Sequence, residues 1–251
     1  MNRAGSLRVW ALPVGGALVT WIVTYQRMHG MDEGPGTDLG GLAWFLGIWV
    51  TMMAAMMFPS VAPVAFLHAR VADGRSPTWL FLAGYLAVWV AFGLGAYTLF
   101  RVIASLDPGF LSWDEHGPLV AGGAIAAAGV YQLTPLKRVC LKHCRTPLRF
   151  ITDSWRDGRL GALRMGAGHG AFCVGCCFGL MLVLFVLGVM SLLWMAVVAA
   201  LIFAEKVLPF GARLATVLAV CFLVLGLWVA TSPGTVPGLT QPARPAMPAM
   251  R

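Results

Sequence analysis

Three cysteines and a histidine lie close together in the segment GHGAFCVGCCFGLM, residues 168–181. In a helix, at about 100° per residue, these four side chains share roughly a 100° arc of one face. Thiolates are soft ligands that bind Cu(I) and zinc, whereas an isolated free cysteine more often packs as a small apolar residue. Because three thiols share one arc, we favour a ligand set over packing. Its predicted members are His169, Cys173, Cys176 and Cys177.

A second cluster of soft side chains lies in the segment WVTMMAAMMFPSVAP, residues 49–63. Its four methionines cover about a 140° arc of a helix. Alone, such a stripe is more typical of adaptable packing than of metal binding. Opposite cysteines, however, thioethers and thiolates together favour Cu(I) over harder ions. Copper is therefore the first candidate metal and zinc the second, with Met52, Met53, Met56 and Met57 as predicted ligands.

Two further features contribute candidate ligands. The segment YQLTPLKRVCLKHCRTP, residues 131–147, places Cys140 and Cys144 one turn apart if it is helical. Glu205 lies near the end of an apolar run, and an ionisable residue there is a functional candidate by default. The alternative is that Glu205 and Lys206 merely anchor that run at the membrane surface.

The composition indicates an integral membrane protein. Of the 251 residues, 59% are hydrophobic and 11% are charged, whereas a soluble domain has about 25% charged residues. The mean hydropathy is +0.79. The net charge of +8 does not indicate nucleic-acid binding, because most basic residues lie in the segments between apolar runs.

We predict an all-α, polytopic membrane helix bundle of about seven transmembrane helices. A span needs about 20 mainly apolar residues. The seven candidate runs are residues 7–25, 39–58, 79–100, 118–135, 166–187, 192–210 and 212–230. They form a single domain over residues 1–230. Residues 231–251 are rich in Pro, Gly and Ala and are predicted to be a disordered tail.

The basic residues predict the orientation of the bundle. Eight Lys and Arg lie between residues 137 and 164, and cytoplasmic segments carry an excess of such residues. The N-terminus is therefore expected inside and the C-terminus outside. This orientation puts the cysteines of residues 173–177 and the methionines of residues 52–57 in the inner halves of the fifth and second spans.

Four segments together resemble a bacterial domain-of-unknown-function family whose members are described as predicted metal-binding integral membrane proteins. They are MMAAMMFP, GVYQLTPLKRVCLKHCRTP, GAFCVGCCFGLM and the EK that ends the sixth span. The resemblance covers about residues 44–209, and the family usually has Trp where Phe178 stands here. It implies metal binding but no reaction. The residues it points to are Met52, Met56, Cys140, Cys144, Cys173, Cys176, Cys177 and Glu205.

We therefore predict a Cu(I)-handling protein of the bacterial inner membrane, acting in delivery, uptake or assembly of a copper enzyme. Its expected partners are the lipid bilayer and a copper chaperone or copper enzyme, not nucleic acid. No ATP-binding loop or phosphorylation domain is visible, which argues against a primary pump, and no catalytic residue is predicted.

Two other hypotheses stay open. The first is a membrane thiol–disulfide oxidoreductase that uses Cys173 with Cys176 and Cys140 with Cys144, although CxxC alone is a weak signal. The second is a structural subunit of a membrane complex, in which the Cys and Met side chains are packing. A redox relay needs the cysteines but not the methionines, so methionine substitutions separate it from copper binding.

Overall fold

In a computed structural model, the described residues are 3–28, 40–72, 77–106, 116–188 and 191–232. Within these ranges the chain forms nine helices and no strand, which confirms the all-α prediction there. The tail predicted over residues 231–251 lies outside the described residues from position 233 onward. The helices are α1 Arg3–Met28, α2 Leu42–Ala72, α3 Thr78–Leu106, α4 Gly117–Gln132, α5 Pro135–Arg145, α6 Pro147–Ser154, α7 Gly158–Gly188, α8 Leu192–Val207 and α9 Gly211–Thr231.

Four helices of the described chain are long and apolar enough to cross a membrane, namely α2, α3, α7 and α9. Helices α4 and α5 meet the same measure as a pair, with a bend of 63° between them. Helix α8 has 16 residues and is therefore about 24 Å long, less than the roughly 30 Å of a hydrocarbon core. The structure thus supports four or five of the seven predicted spans, and those over α1 and α8 stay predictions.

Apolar side chains also cover the outer surface of the bundle. On α9, Val217, Val220, Val224 and Leu227 are exposed, and their spacing places them along one face of the helix. An exposed apolar face of this kind marks a surface for membrane or protein contact. This pattern is compatible with a membrane location.

A short break between α4 and α5 sets the direction of α5. The Thr134 hydroxyl accepts a hydrogen bond from the backbone N–H of Lys137 at 3.3 Å, and Pro135 occupies the first position of the helix. Both features are favourable at a helix start, because a cap oxygen satisfies a free N–H and proline lacks one. The bend at this point lets α5 pack against α7.

Glycines let α7 approach α3 at backbone distance. A Cβ at Gly84 of α3 would overlap the carbonyl of Leu163, and a Cβ at Gly166 of α7 would overlap the carbonyl of Phe81. Small residues at a crossing allow such contact between membrane helices. The first half of α7 is therefore held tightly against α3, just before the cysteines.

The core lies around α2 and α7. The four methionines of residues 52–57 and the three cysteines of residues 173–177 belong to the same cluster of buried side chains. The two predicted sets of soft ligands therefore lie in one core.

Candidate metal centre

Three thiols of α7 form the centre of the candidate site. Cys173, Cys176 and Cys177 are buried, and their Sγ atoms all lie within 4.8 Å of one another. Spacings of three and four residues bring side chains together on one helical face, as the sequence predicted. All three are free cysteines. Among the described residues, these three side chains form a group that is close enough together to hold one metal ion.

A fourth thiol reaches this group from α5. The Sγ of Cys176 lies 3.6 Å from the Sγ of Cys144 and 3.6 Å from the Sγ of Cys177. The other predicted cysteine of α5, Cys140, packs on the backbone of α7 at Gly175, where an added Cβ would lie 2.6 Å from its Sγ. The bend before α5 therefore brings one of its two thiols to the cluster, and the other beside it.

One methionine of α2 contacts the thiols. The Sδ of Met57 lies 4.0 Å from the Sγ of Cys173. Met52, Met53 and Met56 are buried in the same core. The structure thus places a thioether beside the cluster at the last of the four predicted methionine positions.

Cys173 also contacts two polar groups that the sequence alone does not assign to the site. The Nζ of Lys206 donates to its Sγ at 2.9 Å, and the hydroxyl of Tyr85 lies at the same distance. Lys206 donates further to the Oγ of Ser60 at 3.3 Å. An ammonium group beside a thiol favours the thiolate. The sequence does carry one signal for Lys206, because an ionisable residue inside an apolar segment is a functional candidate.

Glu205 lies in a buried ion pair rather than beside the thiols. Its Oε2 is 2.6 Å from the Nζ of Lys137, and both side chains are almost fully buried. Gln132 donates to Oε1 at 3.4 Å. Lys137 also donates to the backbone carbonyl of Cys176 at 2.5 Å. The described partners of this carboxylate are nitrogen donors, and the pair fixes the backbone of α7 next to the thiols.

His169 lies one turn before Cys173 and is buried among aromatic rings. The centroid of its ring is 4.9 Å from that of Phe150, 6.0 Å from that of Tyr85 and 6.2 Å from that of Phe81. Its Nδ1 atom is buried without a hydrogen-bond partner among the described residues. The structure does not place His169 in the three-thiol group.

The donor set determines what this centre can do chemically. Buried thiols that are not cross-linked offer soft ligands, and soft ligands favour Cu(I). Binding requires deprotonated sulfur, so an ion that enters displaces thiol protons. Thiolates around a monovalent ion carry excess negative charge, which is costly in an apolar core unless it is paired. Lys206 supplies a positive charge at Cys173.

The helices and the thiol cluster define a helical protein suited to binding a soft metal ion. Residues 46–229 match the model of the family described as PpoB2, copper chaperone. The match covers more than half of the 251 residues, and the chain therefore belongs to this copper chaperone family. No curated protein and no solved structure matches the chain. The family and the cysteine cluster together support copper handling, in agreement with the metal-binding resemblance.

Proposed function

We propose that this protein is a membrane-embedded Cu(I) chaperone that holds its ion on the thiols of Cys173, Cys176 and Cys177. The observation that carries the proposal is the approach of three buried Sγ atoms to within 4.8 Å of one another. Membership of a copper chaperone family makes copper the expected cargo. Met57 stands at the edge of the site as a further soft donor to an ion near Cys173.

Cys144 gives this centre a route for ligand exchange. Its Sγ lies 3.6 Å from that of Cys176 but belongs to α5, a different helix. A thiol on a second helix can replace one ligand at a time, so the ion need never be released free. We therefore assign delivery, by exchange through Cys144 to a copper chaperone or copper enzyme, as the role of this site.

The proposal includes the bacterial inner membrane, seven spans and an inside N-terminus. Apolar helices and the eight basic residues between positions 137 and 164 support it. Reporter fusions after Arg149 and after Pro237 should report opposite sides of the membrane. If both report the same side, the seven-span arrangement is wrong, although the thiol site is unaffected.

Copper content and copper-dependent stability test the site itself. Protein purified without oxygen should contain copper by elemental analysis, while zinc in its place would identify the second candidate metal. Cu(I) at a hundredfold excess over Kd should stabilise the parent by about 2.7 kcal/mol. Cys173→Ala and Cys176→Ala should abolish that gain, since each removes a ligand.

The matched control is Cys221→Ala, because Cys221 is a free cysteine exposed on α9. It should keep the copper content and the thermal shift of the parent. If Cys173→Ala and Cys176→Ala also keep both, these thiols are packing rather than ligands. A metal-free parent that gains no stability from Cu(I) would contradict the proposal as a whole.

The contact between Cys144 and Cys176 also favours a second candidate, a thiol–disulfide oxidoreductase. Two thiols on different helices, with Sγ atoms 3.6 Å apart, can form a disulfide. The two protons and two electrons then pass to the disulfide of a partner protein, which is reduced to a dithiol. Mass spectrometry after alkylation would detect such a bond. A redox protein should form it reversibly and tolerate Met57→Leu, whereas a copper chaperone should lose copper when the disulfide forms.

A further inference from the structure

A cavity of about 570 Å³ lies between the α4–α5 bend and the first turns of α9. This volume is within the roughly 300–1,000 Å³ of small-molecule sites. Basic side chains line one part of its wall, and no acidic residue is among the described residues that line it. The basic residues are Lys137, Arg138, Lys142 and Arg145.

Among the described residues, most of this positive charge has no acidic partner. Lys137 is paired with Glu205. Arg145 donates to the backbone carbonyls of Glu205 and Pro209, which carry no net charge. Arg138 and Lys142 are exposed, and neither occurs in the described ion pairs. In the part of the chain that the structure describes, the cavity therefore carries a cluster of positive charges without acidic partners.

The rest of the wall consists of four apolar residues and the three polar residues Gln132, Thr146 and Thr216. Leu133, Leu141 and Ala215 line the cavity together with the basic residues. Leu133 is exposed at the end of α4, so an apolar surface continues outward from the cavity. A free inorganic anion would make no favourable contact with such an apolar surface, whereas a phospholipid carries acyl chains close to its phosphate.

We propose that this cavity binds the phosphate headgroup of an anionic phospholipid of the inner leaflet. The proposal rests on the membrane location and the orientation proposed above, which put the α4–α5 bend at the cytoplasmic surface. Basic pockets between membrane helices on that side suit anionic headgroups. Arg138 and Lys142 contact the phosphate, and the apolar wall receives the start of the acyl chains.

The site is connected to the thiols through side chains described above. Lys137 lines the cavity and donates to the carbonyl of Cys176, and Arg145 lines it and donates to the carbonyl of Glu205. A headgroup at this cavity would hold α5 against α7 and α8. The bound lipid thus keeps Cys144 beside Cys176.

The test compares the full-length protein with two matched variants. Arg138→Gln with Lys142→Gln removes two charges from the cavity. Arg159→Gln with Arg164→Gln removes two exposed charges from the start of α7, outside the cavity lining. Native mass spectrometry and thermal unfolding in detergent would be measured with phosphatidylglycerol, with phosphatidylcholine of equal chain length and with inorganic phosphate.

Phosphatidylglycerol should be retained by the parent and raise its unfolding temperature, and the other two probes should not. The cavity variant should bind it roughly thirtyfold more weakly, at about fivefold for each removed cation. The control variant should match the parent. The lipid site is wrong if inorganic phosphate stabilises the parent as much as phosphatidylglycerol does, or if phosphatidylcholine is retained equally well. It is also wrong if the cavity variant and the control variant lose the same amount of phosphatidylglycerol binding.

Copper content measured on the same samples separates this proposal from the proposed function. A parent that binds copper but does not prefer phosphatidylglycerol overturns the lipid site alone. A parent that prefers phosphatidylglycerol without binding copper supports the lipid site and overturns the chaperone role.

Discussion

Two lysines lie in the helical core, and the partners of their ammonium groups differ. Lys137 is 1% exposed and Lys206 is 8% exposed. Lys137 meets the carboxylate of Glu205 at 2.6 Å. The described polar partners of Lys206 are the Sγ of Cys173 and the Oγ of Ser60.

This difference separates a structural charge from a functional one. A buried ion pair balances its own charge, whether or not the thiols are ionised. The charge of Lys206 is balanced by its described partners only when Cys173 is a thiolate, since a serine hydroxyl and a protonated thiol are neutral. We therefore expect the state of Lys206 to follow occupation of the metal site, and that of Lys137 not to.

Lys137→Met should have the largest effect on stability. It leaves Glu205 buried without its cation, and breaking a buried pair costs about 3–5 kcal/mol. Thermal unfolding in detergent, without metal, measures the loss. The double variant Lys137→Met with Glu205→Leu should recover much of it, because no charge is then left unpaired. A single variant as stable as the parent would show that the pair is not structural.

Lys206→Met should have a smaller effect on stability and a larger one on copper. Without metal, Cys173 can take up a proton, so little unpaired charge remains in the core. With copper, the thiolate loses a charged hydrogen-bond donor worth about 1.5–3 kcal/mol. The affinity should fall by about tenfold to a hundredfold in competition titrations against a Cu(I) chelator.

Ser60→Ala provides the control for Lys206→Met. It removes the second contact of the ammonium group and leaves the contact with Cys173, so copper affinity should stay within about threefold of the parent, less than 1 kcal/mol. If Lys206→Met binds copper like the parent, the two lysines do not differ in the way proposed here.

Met57→Leu should have a smaller effect than either Lys137→Met or Lys206→Met. The swap conserves volume, so it should cost less than about 1.5 kcal/mol of stability. Since the Sδ of Met57 lies 4.0 Å from Cys173, copper affinity should fall by less than about tenfold. The matched variant carries Met52→Leu and Met56→Leu. If that variant loses more copper than Met57→Leu, Met52 and Met56 contribute more to copper binding than Met57 does.

The sequence predicts the helices better than it predicts their contacts. Long apolar runs correspond to α2, α3, α7 and α9, because a span is a local property of about 20 residues. Helix α6, Pro147–Ser154, was not predicted. It has only 8 residues and lies in a basic segment that the sequence indicates only as a loop between spans.

The same limit applies to the site. Clustering of the three α7 thiols is predictable, because it depends on the period of one helix. The approach of Cys144 depends on the bend at Thr134 and Pro135, and the contact of Lys206 with Cys173 depends on how α8 packs. Neither contact is encoded in the spacing of residues along the chain. The ion pair of Glu205 with Lys137 was missed for the same reason.

The glycine contact between α3 and α7 has a consequence for the residence time of a bound ion. Rotation or sliding of α7 would bring residues that carry a Cβ into this contact, where a Cβ at the positions of Gly84 and Gly166 overlaps the carbonyls of Leu163 and Phe81. Three of the sulfur atoms therefore belong to a helix that is poorly able to move. We expect the rate of copper transfer to be set by displacement of α5, which carries Cys144 after a bend in the chain. Spontaneous loss of the ion should therefore be slow, because displacing α5 also breaks the buried pair of Lys137 with Glu205, and a partner that displaces α5 should speed release.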